Sequence, residues 1–120
     1  MRVAVIGSRR FENKGKLFAT LSSLESHGVP SGKISLIVSG GALGADKLAE
    51  AFALEHGIPL LIFRPEYDRF GRNAPLKRNF KIVDSADLVV AFWDGVSRGT
   101  KHGIDYAIRQ KKRVIVVSEP

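Results

Sequence analysis

The chain contains no cysteine, which excludes disulfide bonds, zinc–cysteine sites and thiol catalysis. It also has no apolar run of 18 residues, and no basic segment with a long apolar core precedes its first strand-like run. These absences predict a cytoplasmic protein with no membrane partner. No two histidines have the spacing of a metal site, so neither a metal nor a cofactor is predicted.

Length and charge limit where a site can lie and what it can bind. With 120 residues, 44% of them hydrophobic, the chain fits one globular domain over residues 1–120. A site must then lie on this domain or between copies of it in a homo-oligomer. The net charge of +7 is compatible with anionic ligands or nucleic acid. Nine of the 19 basic residues fall in or beside predicted strand-end loops: Arg9, Arg10, Arg64, Arg69, Arg72, Lys77, Arg78, Arg98 and Lys101.

Short apolar runs alternate with helical patterns along the chain. The runs are typical of strands buried on both faces: Val3–Ile6, Leu36–Val38, Leu60–Phe63, Leu88–Phe92 and Val114–Val117. Such alternation calls for a parallel sheet with right-handed crossovers and helices on both faces. The sequence therefore predicts a Rossmann-like three-layer α/β/α fold, with a five-stranded parallel sheet in the order 3-2-1-4-5.

Four apolar stripes mark the predicted helices. They are Leu17, Leu21 and Leu24 ending at Gly28; Leu48, Ala49 and Phe52 ending at Gly57; Leu76, Phe80 and Val83 behind Pro75; and Ile104, Ala107 and Ile108. Arg78 and Asn79 lie off the third stripe, so they are predicted not to be core residues. The polar segment Arg64–Ala74 is longer than a simple connection needs and is predicted to be a binding segment.

Three strand-to-helix turns are rich in glycine and small polar residues. They are Gly7–Arg10 after strand 1, Ser39–Asp46 after strand 2 and Trp93–Thr100 after strand 4. Strands 2, 1 and 4 are neighbours in the predicted order, so the three turns would line one crevice at the carboxyl edge of the sheet. Backbone amides at helix starts bind anions there. The sequence thus predicts a site for a phosphate-bearing nucleotide, with Trp93 and Tyr67 as candidates for stacking on a base.

Two familiar nucleotide motifs are absent. The second turn reads G-G-x-x-G, follows the second strand rather than the first, and lacks the ribose-binding acid of the dinucleotide fingerprint. No G-K-[ST] follows any glycine turn, so there is no P-loop. Both absences disfavour an NAD-dependent oxidoreductase and an ATPase.

The motifs resemble those of a known superfamily. G-S-R after strand 1, S-G-G-A-x-G-A-D after strand 2, R-N at Arg78–Asn79 and W-D-G-x-S-x-G-T before the last helix are similar to the YspA/YpsA-related branch of the SLOG superfamily. That superfamily also contains the Smf/DprA DNA-processing proteins and the "Lonely guy" (LOG) nucleotide hydrolases. The resemblance implies a Rossmann-like fold and a pocket for nucleotides or their derivatives. The predicted ligand-binding residues are Gly7, Ser8, Arg9, Ser39, Gly40, Gly41, Gly44, Asp46, Arg78, Asn79, Trp93, Asp94, Ser97, Gly99 and Thr100.

One departure leaves catalysis open. LOG-type hydrolases carry a catalytic glutamate in P-G-G-x-G-T-x-x-E, where this chain has Gly103. Glycine can neither stabilise an oxocarbenium-like centre nor activate water, although Asp46, Asp94 or Asp105 could substitute. A nucleotide-binding sensor or effector domain is therefore favoured. The alternatives are an N-glycosidic hydrolase or transferase acting on nucleoside monophosphates, and a DprA-like DNA- or RNA-binding module.

Overall fold

Five strands and their connecting helices alternate along the chain. The computed structural model describes residues 1–26 and 33–118. In chain order the elements are β1 (Arg2–Gly7), α1 (Lys14–Ser26), β2 (Leu36–Ser39), α2 (Ala45–Glu55), β3 (Leu60–Ile62), α3 (Tyr67–Phe70), a 3₁₀ turn (Gly71–Asn73), α4 (Ala74–Asp84), β4 (Leu88–Trp93), α5 (Arg98–Arg109) and β5 (Arg113–Ser118). None of the helices in these two ranges is both long and apolar enough to cross a membrane.

The strands form one parallel sheet in the order β3-β2-β1-β4-β5. This confirms the predicted order, with β1 at the centre between β2 and β4. Ala4 of β1, for example, pairs with Val38 of β2 and with Val89 of β4. Because all strands run in the same direction, the turns after β1, β2 and β4 leave the sheet at the same edge.

Side chains of β1 alternate between two hydrophobic cores. Val3 and Val5 belong to the core under α1 and α2, which also contains Leu17, Leu21 and Phe52. The opposite face carries Ala4 and Ile6, which pack in a second core with Val38, Ile82, Val83, Ile104 and Ala107 beneath α4 and α5. Burial on both faces explains the continuous apolar runs of the central strands.

Two of the predicted helix faces are wrong in part. Helix α4 turns Ala74, Asn79, Ile82 and Val83 inward, whereas Leu76 is exposed. Asn79 is thus buried rather than off the core, because the helix is rotated relative to the predicted stripe. In the last helix Ile104 and Ala107 are buried as predicted, but Ile108 is 60% exposed. The predicted stop at Gly28 lies outside the described residues.

The segment Arg64–Ala74 is not an irregular loop. It contains one turn of α-helix, α3, followed by the 3₁₀ turn, and Ala74 is already the first residue of α4. Gly71, the C-cap residue of α3, has a φ of 57°, a backbone conformation that glycine adopts readily. The segment Arg64–Ala74 is polar because all but a few of its residues are exposed to solvent.

Candidate functional site

A cleft of about 420 Å³ opens at the carboxyl edge of the sheet, above β1 and β4. It is bounded by the turns after β1 and β4, by part of the turn after β2, and by one side of α4. Its lining residues are Ile6, Gly7, Ser8, Arg9, Arg10, Ala42, Asp46, Pro75, Arg78, Asn79, Ile82, Asp94, Val96, Ser97, Gly99 and Thr100. The three glycine-rich turns thus meet at one place, as the strand order requires.

The turn after β1 has a fixed backbone and offers the cleft two cations. The Ser8 amide donates to the Phe92 carbonyl at 3.1 Å, and the Ser8 Oγ accepts the Arg10 amide at 3.2 Å. Ser8 itself is buried, while Arg9 and Arg10 are exposed. Neither arginine forms an ion pair with any carboxylate in the described part of the chain. Both guanidinium groups are therefore available to an anion.

The turn after β2 is closed on itself. The Gly41 amide donates to Ser39 Oγ at 3.3 Å, and the Ala42 amide donates to Asp46 Oδ2 at 3.1 Å. Gly44 has a φ of 78°, and a Cβ there would collide with the Ser8 carbonyl oxygen. The glycine is needed because this backbone packs directly on the turn after β1. Two amides that could have faced a phosphate are therefore occupied by the turn's own side chains.

Asp46 is a buried carboxyl group at the floor of the cleft. Asp46 is only 6% exposed. Burial raises the pKa of Asp46 to about 6, although the hydrogen bond from the Ala42 amide and the positive charge of Arg78 act in the opposite direction. Arg78 donates from Nη1 to the Gly40 carbonyl at 2.7 Å, while its buried Nε has no hydrogen-bond partner among the described residues. Burial lowers the pKa of Arg78, and the nearby Asp46 carboxylate partly offsets that effect. The pair brings opposite charges to the junction of β2, α2 and α4.

The turn after β4 ends in an open helix start. Asp94 Oδ1 accepts the Val96 and Ser97 amides at 2.9 and 2.8 Å, which lowers the pKa of Asp94. Ser97 is the N-cap residue of α5, yet its side chain makes no capping bond. The amides of the first turn of α5, which have no partner within the helix, therefore keep their capacity to donate. Gly99 lies in this turn, and a Cβ there would meet no atom within 4 Å.

Two buried polar side chains hold the start of α5 in place. Asn79 Nδ2 donates to the Gly99 carbonyl at 3.1 Å and lies 3.3 Å from His102 Nδ1. Thr100 is 4% exposed, and its Oγ1 lies 3.1 Å from Ser97 Oγ. The Asn79 bond fixes the helix start against α4, and the contact between Thr100 and Ser97 lies within the helix start itself.

The structure divides the predicted ligand-binding residues into two groups. Ten of them line the cleft: Gly7, Ser8, Arg9, Asp46, Arg78, Asn79, Asp94, Ser97, Gly99 and Thr100. The others lie outside its lining: Ser39, Gly40, Gly41, Gly44 and Trp93. Trp93 donates its indole N–H to the Ser97 carbonyl at 3.1 Å, so its polar atom supports the turn after β4. The assignment of ligand contacts to these residues stays a prediction.

Several lining residues are absent from that prediction. Pro75 and Ile82 lie on α4 beside Arg78 and Asn79, and Ala42 and Val96 are apolar members of the turns. A correctly placed inward face for α4 would have identified the first two, since they lie three or four residues from Arg78 and Asn79. The sequence predicts Arg10 as a basic residue of a strand-end loop but does not place it among the ligand-binding residues. It lines the cleft together with Arg9.

Gly103 is a packing residue. A Cβ at this position would lie 2.8 Å from Ile6 Cδ1, so α5 approaches β1 closely at the point where LOG-type hydrolases carry glutamate. Asp105 is exposed, pairs with Lys101 at 2.8 Å and is absent from the cleft lining. Among the carboxylates suggested as substitutes, only Asp46 and Asp94 reach the cleft. Residues 1–26 and 33–118 contain no cluster of side chains suited to a metal ion.

Solved structures of similar fold come from DNA processing protein A. The protein from Helicobacter pylori, described for its single-stranded DNA binding mode, matches 100% of this chain with a TM-score of 0.74 and 22% identity. DNA processing protein A from Streptococcus pneumoniae matches 99% with a TM-score of 0.79 and 19% identity. The chain spans 66% and 50% of the lengths of these two proteins. At such identities the likeness establishes the fold.

The sequence comparisons identify the family. No curated protein is a significant match to the chain. A family model named YAcAr, for the YspA, cpYpsA-related SLOG family, matches residues 1–70. That range runs from β1 to the end of α3 and contains the turns after β1 and β2. Because the match covers more than half of the 120 residues, the chain belongs to the YspA, cpYpsA-related SLOG family.

Proposed function

We propose that the cleft binds a nucleotide or a nucleotide-derived ligand through its phosphate groups. The single observation that carries this proposal is the meeting of the uncapped start of α5 with three arginine side chains in one cleft. Arg9, Arg10 and Arg78 all line the cleft, as do Gly99 and Thr100 of the helix start. A volume of about 420 Å³ falls within the roughly 300–1,000 Å³ of typical small-molecule sites.

Charge in the cleft favours an anion. Two of the three arginines are exposed and unpaired within the described residues, so they need not break an ion pair to bind phosphate. The helix start adds a partial positive charge and first-turn N–H donors. Of the two cleft carboxylates, Asp94 is already held by two backbone amides. Asp46 lies deeper and is suited to accept a hydrogen bond from a ligand hydroxyl such as that of a ribose.

Gly99 offers the sharpest test, because a side chain can be added there without collision. Gly99→Asp would place a carboxylate where the ligand phosphate is expected, while an acidic residue in the first turn does not destabilise a helix. We expect the affinity for nucleotides to fall at least about tenfold, a free-energy change of about 1.4 kcal/mol. Calorimetric titration with a panel of nucleoside mono-, di- and triphosphates measures this.

Gly99→Asn is the matched control, since it has the size of aspartate without the charge. Its affinity should stay within about threefold of wild type, below the tenfold effect of charge. Denaturing the purified protein and identifying released ultraviolet-absorbing molecules by mass would supply candidate ligands for the titration. Equal nucleotide affinity in wild type and Gly99→Asp, or no affinity in wild type for the panel or for released molecules, would contradict the proposal.

A second candidate function is binding of single-stranded nucleic acid. Two observations favour it: the net charge of +7, and a fold shared with a protein described for its single-stranded DNA binding mode. Phosphate contacts release counterions, so the affinity for an oligonucleotide would fall steeply between 50 and 200 mM salt, by a few orders of magnitude for about six contacts. An oligonucleotide affinity that is independent of salt would contradict this function.

A third candidate is cleavage at a nucleoside N-glycosidic bond, favoured by Asp46. A cleft carboxyl group with a pKa of about 6 can exchange a proton near neutral pH. Incubation with nucleoside monophosphates should then release free base and ribose phosphate, and Asp46→Asn should abolish the release. If the wild-type protein releases no free base from any nucleoside monophosphate, hydrolysis is contradicted and only the binding functions remain.

A further inference from the structure

A second cavity adjoins the cleft and has a different chemistry. It measures about 300 Å³ and shares the lining residues Arg9, Ala42 and Arg78 with the cleft, so the two spaces are immediate neighbours. Its other lining residues are Gly40, Gly41, Leu43, Pro65 and Tyr67. The second cavity therefore extends the site along the carboxyl edge of the sheet, from the end of β1 towards the end of β3.

Apolar groups around this second cavity are unusually exposed. Leu43 is 69% exposed and Tyr67 is 56% exposed. Both side chains line one small cavity rather than being scattered over the surface. Exposed apolar groups that cluster in a concave place mark a binding surface.

We propose that the second cavity binds the second nucleoside of a ligand in which two nucleosides are joined through phosphate. The inference rests on the proposed function, because the first nucleotide unit occupies the cleft. The linking phosphate would then lie at the shared boundary, beside Arg9 and Arg78. Tyr67 supplies an aromatic face for the second base, and such stacking is insensitive to the identity of the base.

The dimensions and charges agree with this arrangement. The second cavity is smaller and its lining is mostly apolar, and the two arginines in that lining, Arg9 and Arg78, are those that it shares with the cleft. This order, with cations between two spaces, fits a ligand whose charge lies in its middle. A ligand of this chemistry is either a free dinucleotide or two successive units of a single strand.

The test compares ligands with one and two units. Wild type is titrated with the four nucleoside 5′-monophosphates and with the four matching 5′-phosphorylated homodinucleotides, under one salt condition. We expect the best dinucleotide to bind at least about fivefold more tightly than its monophosphate. Tyr67→Ala should remove this advantage and leave the monophosphate affinity unchanged. Tyr67→Phe keeps the ring and should retain the advantage.

A second variant tests the opposite wall. Leu43→Ala should reduce the dinucleotide advantage about twofold or more. Leu54→Ala, at a leucine on α2 that is more exposed and lies outside the lining of the cavity, should not change it. Homopolymeric DNA octamers separate the two ligand sources. An affinity that keeps rising beyond two units assigns the site to a single strand, and a constant affinity assigns it to a free dinucleotide.

Failure of this inference is distinguishable from failure of the proposed function. Monophosphate binding without a dinucleotide advantage, or an advantage that survives Tyr67→Ala, overturns the second subsite and leaves the cleft intact. Absence of binding by every ligand tested overturns both.

Discussion

The two glycine-rich turns that flank the central strand behave differently although their sequences look alike. In the turn after β2, Ser39 and Asp46 accept the amides of Gly41 and Ala42, so the turn is closed by its own side chains. In the turn after β4, Asp94 accepts only the amides before the helix, and α5 begins without a side-chain cap. The turn after β2 is therefore held closed by its own hydrogen bonds, whereas the turn after β4 presents the free amides of the first turn of α5 to the cleft.

Glycine has a different role in each turn. Gly44 has a positive φ and touches the backbone of the turn after β1, so the fold requires it. Gly99 has helical geometry and open space where a side chain would lie, so the fold does not require it. A glycine in a strand-to-helix turn thus indicates either a tight approach of two backbones or an open approach for a ligand. Substitutions at the two positions should separate these roles.

The largest effect is expected at the closed turn. Gly44→Ala would force a Cβ into the Ser8 carbonyl at a φ that other residues rarely adopt. Strain and displacement together should lower the free energy of unfolding by about 3 kcal/mol or more, which urea denaturation measures. Gly57→Ala is the matched control, because its φ is also positive but its surroundings are open, and it should cost about 1 kcal/mol. Equal losses in the two variants would show that the contact with Ser8 is unimportant.

The Asp46 carboxylate, which closes the turn after β2, should lower the free energy of unfolding at neutral pH. The pKa of Asp46 is about 6 in the folded protein, against about 3.9 in an unfolded chain, so the folded state holds the proton more tightly. Its contribution is fully present below pH 4 and is lost as the pH rises through 6. Asp46→Asn, which stays neutral, should therefore be more stable than wild type at pH 7, by on the order of 2 kcal/mol.

The pH dependence of this difference is its check. Urea denaturation of both proteins at pH 4, 5, 6 and 7 should show a gap that grows between pH 4 and 6 and then levels off. A gap of constant size would mean that Asp46 is ionised throughout, and that its burial is offset by its partners.

Strand order and the meeting of the turns were predictable from the sequence, because they follow from local patterns. Five β-branched runs separated by helical stripes leave few topologies, and the order 3-2-1-4-5 brings the turns after strands 1, 2 and 4 together. The positions of Arg9, Gly99 and Thr100 at the cleft follow directly from that order. These residues lie within a few positions of a strand end or a helix start, where the direction of the chain is fixed.

What the sequence could not provide depends on rotation and on competing hydrogen bonds. The stripe of Leu76, Phe80 and Val83 predicts a face for α4 that leaves Asn79 outside the core. The helix instead buries Ala74, Asn79 and Ile82 together with Val83. Which amides remain free depends on whether a serine or aspartate oxygen reaches them, and that is a matter of a few tenths of an ångström. Gly41 and Gly99 are indistinguishable by residue type, yet the amide of Gly41 is occupied and Gly99 stands at an uncapped helix start.

The turn after β4 depends on a hydrogen bond from Asn79 of α4, and removing that bond should have a smaller effect on stability. Asn79→Ala removes the donor to the Gly99 carbonyl and leaves a small void beneath α5. We expect a loss of about 1–2 kcal/mol in the free energy of unfolding. Amide hydrogen exchange should accelerate at Lys101, whose amide donates to the Ser97 carbonyl at the start of α5, and stay unchanged in α2. Ser85→Ala, which removes an exposed hydrogen bond at the C-terminal end of α4, is the control. Faster exchange in both α5 and α2 of Asn79→Ala would indicate a general loss of stability instead.

The smallest effect should have the opposite sign to that at Gly44. Gly99→Ala fills open space at the start of α5 and restricts the unfolded chain, so the free energy of unfolding should rise by about 0.5 kcal/mol. Thermal and urea denaturation of Gly99→Ala and Gly44→Ala compare the same substitution in the turn after β4 and in the turn after β2. If Gly99→Ala lowered the free energy of unfolding as much as Gly44→Ala does, the start of α5 would be as tightly packed as the turn after β2. The alanine leaves the first-turn donors and the charge of the cleft unchanged, so nucleotide affinity should respond to a carboxylate at this position far more than to a methyl group.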